Sequence, residues 1–127
     1  MTPKENIINW FEIAVSDLDR AKKFYENVFD IEMTTMDMNG MNMAFFPMES
    51  NSSNTGGGLV KHEMYKPSTD GAVIYLNGNP DLSVPLSHVE SSGGQVVMPK
   101  TLITDEIGYM AFFKDTEGNK VALHSQK

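Results

Sequence analysis

The chain has 127 residues and a mass of 14.1 kDa, enough for one compact core and too little for two domains of ordinary size. Its net charge of −7 repels the phosphates of nucleic acids and anionic membranes. The sequence contains no cysteine, which excludes disulfides, thiolate metal sites and cysteine nucleophiles. It also lacks a secretion signal and an apolar span, so we expect one cytoplasmic domain, residues 1–127, with no nucleic-acid or membrane partner.

The first half of the chain predicts one helix and four strands. Residues 9–15, NWFEIAV, alternate between an apolar face and a mixed face, which indicates a strand. Ser16 then fits a helix N-cap with Asp19 three positions later, and apolar residues at helical spacing continue to Val28. Asn39-Gly40 is a strong hairpin turn. Further strands are predicted at residues 31–36, 41–48 and 58–61.

The second half repeats this order. Residues 71–76 predict a strand that buries Ala72, Ile74 and Leu76, and a short helix follows near Ser83, because Pro85 disfavours a longer one. Gly93-Gly94 is a typical helix end. Strands are then predicted at residues 95–98, 108–113 and 120–124, with Glu117–Asn119 as the last turn.

The word MAFF occurs in both halves, at residues 43–46 and 110–113, each time on the third predicted strand. Two buried strands with similar apolar residues could produce this word by coincidence. The repeated order of strand, helix and three strands favours an internal duplication instead. We therefore predict an α+β fold of two βαβββ modules, about residues 7–62 and 71–125.

Several segments of the chain resemble the vicinal oxygen chelate superfamily, which includes glyoxalase I, bleomycin-resistance proteins and extradiol dioxygenases. They are NWFEIAVSDLDRAKKFYENVF, YLNG, GGQVVMPK and IGYMAFFKDTEGNKVALHS, which span roughly residues 7–125. More narrowly, the chain is similar to the bacterial group related to lactoylglutathione lyase. The resemblance implies a glyoxalase/bleomycin-resistance-like fold with a cleft in each curled sheet, and a dimer. It also implies a divalent metal acting as a Lewis acid, held by His, Gln or Glu on the first and last strand of each module.

The metal-ligand positions that the resemblance implies carry no metal ligand in this sequence. They fall on Trp10, on Gly58 within the stretch 58–60, on Val73 or Ile74, and on Ala122. Divalent ions need oxygen or nitrogen donors, which these side chains lack. The three histidines are scattered, and His62 and His88 are expected at the surface. We therefore expect no metal cofactor at the usual site, with a non-standard divalent metal site as the alternative.

Strand alternation predicts an open face opposite the helices, and this face forms the expected cleft. Its lining is mostly apolar and aromatic with a few polar groups, as in many small-molecule sites. Trp10 is the only tryptophan, and core packing or a dimer contact is the alternative role for it. The predicted cleft residues are Trp10, Glu12, Phe45, Val73, Tyr75, Asn77, Phe112, Ala122 and His124.

Glu12 is the candidate catalytic residue. A carboxylate among apolar neighbours is costly to bury unless it is paired or functional, and such a group suits general acid or base catalysis. His124 is its candidate catalytic partner, and a purely structural hydrogen bond of Glu12 is the alternative. The methionines of residues 33–48 are expected to line the pocket or the dimer interface, with loops 49–57 and 100–108 covering the cleft.

These features predict a homodimer that binds a small apolar or aromatic molecule without a metal. The alternative is a lyase or isomerase related to lactoylglutathione lyase, using Glu12 or a non-standard metal. A structural dimeric module, with a cleft filled by its own side chains, is the third interpretation. Whether the protein is an enzyme is left open by the sequence, because fold does not determine function.

Overall fold

The structure is a computed structural model that describes residues 2–38, 40–49 and 54–127. Its elements follow the predicted order and confirm the α+β fold of two βαβββ modules. None of the helices in the described parts is long and apolar enough to cross a membrane. The elements are β1 (Trp10–Ala14), α1 (Leu18–Phe29), β2 (Thr34–Met38), β3 (Met41–Phe45), β4 (Gly56–Lys61), β5 (Tyr75–Asn77), α2 (Ser83–Leu86), a 3-10 turn (Glu90–Ser92), β6 (Gln95–Thr104), β7 (Gly108–Lys114) and β8 (Lys120–Ser125).

Each module forms one four-stranded mixed sheet. The strand orders are β1-β4-β3-β2 and β5-β8-β7-β6, so the second sheet repeats the topology of the first. The first strand of each module is parallel to the last, and the remaining neighbours are antiparallel. Strands β1 and β5 consequently each lie at the edge of their sheet.

Helix α1 forms the centre of a core that both modules share. Its buried side chains are Ala21, Phe24, Tyr25 and Val28, which lie on one face at helical spacing. The ring of Phe24 lies 5.8 Å from that of Phe113 on β7, so the helix of module one packs against the sheet of module two. Burial of each large apolar side chain stabilises the fold by roughly 1.5–3 kcal/mol.

The start of α1 differs from the prediction by one residue. Asp17 is the N-cap, and its side chain accepts a hydrogen bond from the backbone N–H of Arg20 at 3.0 Å. The N–H of Ser16, the predicted N-cap, donates instead to Glu117 Oε1 at 2.9 Å. The helix ends at Phe29, and its C-cap is Asp30, which adopts the left-handed conformation with φ of 53°.

The loop between β7 and β8 connects the two modules through Asp115, which is only 4% exposed. Its carboxylate accepts hydrogen bonds from the Tyr25 hydroxyl at 2.7 Å and from the backbone N–H groups of Glu117 and Asn119 at 2.8 and 2.9 Å. The side-chain amide of Asn119 donates to the carbonyl of Ala14 at the end of β1, at 2.7 Å. The sequence identified this segment only as a turn.

Glu117 makes a second connection between the modules. Its carboxylate accepts hydrogen bonds from the backbone N–H groups of Ser16 and Asp17, at 2.9 and 2.8 Å, and from the guanidinium of Arg20, at 2.7 and 3.0 Å. Burial by itself would raise the pKa of Glu117. The hydrogen bonds from Arg20, Asp17, Thr116 and Ser16 outweigh it and lower the pKa to about 2.

Module two differs from the prediction at two places. Strand β5 contains only Tyr75–Asn77, so Ala72 is exposed and Ile74 is half-buried, although Leu76 is buried as predicted. Strand β6 continues to Thr104, because irregular pairing between residues 98 and 101 accommodates Pro99 in an edge strand. The predicted loop 100–108 is thereby reduced to residues 105–107.

Two predicted segments lie partly outside the described residues. These parts are Asn39 of the predicted hairpin turn and residues 50–53 of the predicted loop 49–57. Gly56 and Gly57, which were expected in that loop, lie in β4.

Candidate functional site

The open face of the first sheet carries Trp10, Glu12 and Phe45. Glu12 on β1 pairs with Gly58 on β4, and Gly58 pairs with Phe45 on β3. Paired residues share a face of the sheet, and so do residues two apart on a strand, so Trp10 lies on this face as well. The rings of Trp10 and Phe45 meet edge to face, with centroids 5.8 Å apart. Alternation therefore predicted this part of the face correctly.

Glycines on β4 make room for the side chains that flank this strand. A Cβ at position 58 would lie 2.7 Å from the carbonyl oxygen of Ala44 and 3.2 Å from the ring of Phe45. A Cβ at position 56 would collide with the sulfur of Met48 and lie 3.2 Å from the ring of Trp10. Met48 and the two aromatic rings consequently pack over the backbone of β4, and the two rings are in contact.

The carboxylate of Glu12 interacts with two aromatic side chains. Trp10 Nε1–H donates a hydrogen bond to Glu12 Oε2 at 3.3 Å. Interaction with the negatively charged Glu12 carboxylate raises the pKa of the Tyr65 hydroxyl. Tyr65 therefore stays a neutral donor at physiological pH.

Tyr65 was missed by the sequence analysis. It lies in the segment that follows β4, where its backbone N–H donates to the carbonyl of His62 at 2.9 Å. The rings of His62 and Tyr65 lie 5.9 Å apart. The sequence signal was an aromatic residue in a turn just after a strand, which by itself does not indicate the sheet face that the ring reaches.

The open face of the second sheet carries the remaining predicted residues except Val73, which precedes β5. Tyr75 pairs with Ala122 and Ala122 with Phe112, while Asn77 pairs with His124. The rings of Tyr75 and Phe112 lie 6.0 Å apart. Ala122 has no exposed surface, so it supports this face from beneath its neighbours.

His124 interacts with the β6–β7 turn of its own module. Its Nε2 lies 2.6 Å from the carbonyl oxygen of Ile107. Because a carbonyl only accepts hydrogen bonds, Nε2 carries a proton and Nδ1 is the nitrogen left for another partner. The structure thus gives Glu12 and His124 separate partners, and no hydrogen bond joins them in the described chain.

A cavity of about 750 Å³ lies where the edge strands β1 and β5 approach each other. It brings together four predicted residues, Trp10, Val73, Tyr75 and Asn77, from both modules. The other predicted residues lie on the sheet faces outside its lining. The cavity walls are mostly apolar and also include Ile8, Phe11, Phe29, Ile31, Phe46, Pro47, Thr55, Ala72, Ile74 and Leu76.

The methionines of the first module divide between the core and the surface. Met33 and Met43 are buried, whereas Met36 and Met48 are exposed. Met43 and Met36 pair with each other on the face that carries Phe45. The side chain of Met38 lies outside the described part of the structure.

The residues at the family's metal-ligand positions do not fit a metal. Trp10, Gly58, Val73 and Ala122 lack a donor for a divalent ion, and the alternatives Ile74, Leu59 and Val60 are aliphatic. The described residues also contain no group of three or more His, Asp and Glu side chains that could hold a metal elsewhere.

The comparisons with known proteins agree with this fold. The family model for the "Glyoxalase/Bleomycin resistance protein/Dioxygenase superfamily" matches residues 7–123. A glyoxalase/bleomycin resistance protein from Albidiferax ferrireducens T118 has a TM-score of 0.72 at 15% identity, over 96% of this chain and 100% of that one. None of the curated proteins matches the chain.

Two further solved structures differ in their described roles. TnmS3, an antibiotic binding protein from Streptomyces sp. CB03234, has a TM-score of 0.67 at 18% identity, over 99% of this chain and 100% of that one. Glyoxalase I from Zea mays has a TM-score of 0.68 at 20% identity, over 93% of this chain and 44% of that one. At such identities the likeness shows the fold alone. The family model covers most of the sequence, and the chain belongs to the glyoxalase/bleomycin resistance protein/dioxygenase superfamily.

Proposed function

We propose that this protein binds a small aromatic molecule without a metal. The observation that carries the proposal is the cavity of about 750 Å³ between β1 and β5, whose mostly apolar walls include Trp10 and Tyr75. Apolar walls with a few polar groups, here Thr55 and Asn77, are the usual composition of a small-molecule site. A protein with the same fold is described as an antibiotic binding protein, which supports a small-molecule ligand for this one.

A homodimer is part of the same proposal. Four large apolar side chains on or beside the edge strands β1 and β5 are exposed: Ile7 at 77%, Ile8 at 54%, Val73 at 41% and Tyr75 at 47%. A second copy that covers these edges would bury these side chains and enclose the cavity that Ile8, Val73 and Tyr75 line.

A lyase or isomerase is the second candidate function, and the geometry of Glu12 favours it. The hydrogen bond from Trp10 orients the carboxylate on the open face, as a general acid or base requires. If the protein is such an enzyme, Glu12→Gln abolishes turnover of a bound compound and leaves its binding affinity largely unchanged. A binding protein is expected to show no turnover of a bound compound, either as wild type or as Glu12→Gln.

Trp10 is expected to contribute strongly to binding. A panel of neutral aromatic compounds should change the fluorescence of Trp10, the only tryptophan, as they enter the cavity beside it. Calorimetry should then show that Trp10→Ala weakens binding by about tenfold or more, because the aromatic wall is lost. Trp10→Phe retains an aromatic wall and serves as the matched control. Equal affinities for wild type and Trp10→Ala would place the ligand elsewhere and contradict the proposal.

The purified protein is expected to hold no stoichiometric divalent metal. Elemental analysis after incubation with nickel, zinc, manganese or iron, followed by desalting, should find far less than one ion per chain. The physical reason is the lack of donors at the family's ligand positions, such as Trp10 and Ala122. Stoichiometric metal that is lost in Glu12→Gln or His124→Ala would favour the enzyme with a non-standard site.

A further inference from the structure

We propose that the ligand of the first sheet carries a cationic nitrogen, and that Glu12 is the residue that selects it. This inference rests on the proposed function, since it names the chemical class of molecule that binds beside Trp10. It concerns the charge of the ligand, whereas the proposed function concerns only its size and apolar character.

The first argument is the charge that Glu12 leaves unneutralised. Trp10, which donates a hydrogen bond to it, and Tyr65, which interacts with it, are both neutral. The ion pairs formed by the described residues involve Glu117, Glu26 and Asp81, so no described cation lies within ion-pair distance of Glu12. A half-buried carboxylate without a counterion binds an ammonium group more strongly than it binds a neutral donor.

The second argument is the set of rings around this carboxylate. Trp10 donates its N–H to Glu12, Tyr65 interacts with the same carboxylate, and Phe45 meets Trp10 edge to face at 5.8 Å. Trp10 points its N–H edge at Glu12 and is 38% exposed. Aromatic faces attract cations through their quadrupole, so a cation bound to Glu12 gains a further attraction from the exposed ring of Trp10.

The third argument is the cavity beside Trp10. Trp10 Nε1 lies 3.3 Å from Glu12 Oε2, and the same side chain lines the cavity of about 750 Å³. A ligand can therefore place an aromatic group in this cavity against Trp10 while its nitrogen reaches Glu12. The net charge of −7 acts in the same direction, because it attracts cations at long range.

The test compares three probes of similar size: phenethylamine, 2-phenylethanol and 3-phenylpropionate. At pH 7 they are cationic, neutral and anionic, respectively. Their affinities for the full chain are measured by Trp10 fluorescence and by calorimetry. We expect phenethylamine to bind about tenfold or more tightly than 2-phenylethanol, with 3-phenylpropionate weakest.

Glu12→Gln is the decisive variant, because it removes the charge and keeps the shape. Phenethylamine should then bind no more tightly than 2-phenylethanol, whose own affinity should change little. Glu106→Gln is the matched control, since Glu106 is an exposed carboxylate in the β6–β7 turn and its loss changes the net charge equally. That variant should retain the preference for the amine.

Two results would overturn the inference and leave the proposed function intact. One is wild-type protein that binds 2-phenylethanol or 3-phenylpropionate as tightly as phenethylamine, a comparison that needs no variant. The other is a preference for the amine that persists in Glu12→Gln. If none of the three probes binds at all, both the inference and the proposed function are wrong.

Discussion

Replacing Asp115 by alanine is expected to lower the free energy of unfolding by about 4 kcal/mol, a large share of the 5–15 kcal/mol typical of a single domain. The carboxylate is almost fully buried and accepts hydrogen bonds from the Tyr25 hydroxyl and from two backbone N–H groups. The side-chain amide of Asn119 donates a fourth hydrogen bond to this carboxylate, at 3.0 Å. Alanine leaves all four donors without this partner, and buried donors without acceptors are costly. Urea unfolding at pH 7 measures the change.

Two milder variants separate the contributions to this network. Tyr25→Phe removes one donor and should cost about 1–2 kcal/mol, because the carboxylate keeps its other partners. Asp115→Asn keeps the shape of the side chain and one acceptor oxygen. Its cost in free energy of unfolding should therefore fall between the costs of Tyr25→Phe and Asp115→Ala. A cost for Asp115→Ala no greater than that for Tyr25→Phe would contradict the assignment of Asp115 as the centre of the network.

Local patterns in the sequence predicted the order of elements and the pairing of faces. Period-two alternation identified β1, and helical spacing of apolar residues identified α1, because both patterns depend on neighbours in the chain. The start of α1 was missed by one residue for a tertiary reason. Glu117 lies about 100 residues away in the sequence and binds the N–H of Ser16, which no local capping rule can detect.

In the candidate site, too, local patterns predicted some features, and tertiary contacts determined the others. Alternation identified Trp10, Glu12 and Phe45 correctly as neighbours on one face, since register fixes the direction of every side chain in a strand. Tyr65 was missed because the path of the segment after β4 is determined by tertiary packing. Similarly, the sequence could suggest Glu12 and His124 as partners, but it could not show that His124 bonds to the carbonyl of Ile107.

Acid is expected to weaken the connection between the modules through Glu117. Its side chain is fully shielded from solvent, and its pKa lies at about 2 in the folded protein against an ordinary value of 4.5. A carboxyl whose folded pKa is depressed contributes its stability above the unfolded pKa and loses it as the pH falls towards the folded one. This difference amounts to about 3 kcal/mol above pH 5, of which roughly 2 kcal/mol is lost by about pH 3.

Comparison with Glu117→Gln isolates this carboxyl from others that titrate in the same range, such as Asp81, whose pKa is also lowered to about 2 by Lys100 and Ser83. Wild type should be the more stable protein at pH 7, because glutamine keeps an acceptor for the backbone of α1 and loses the charge that pairs with Arg20. Urea unfolding of both proteins from pH 7 to pH 3 should show their difference shrinking steadily below pH 5. A difference that stays constant over this range would mean that the charge of Glu117 contributes no stability, and that only the shape of its side chain holds β7–β8 against the start of α1.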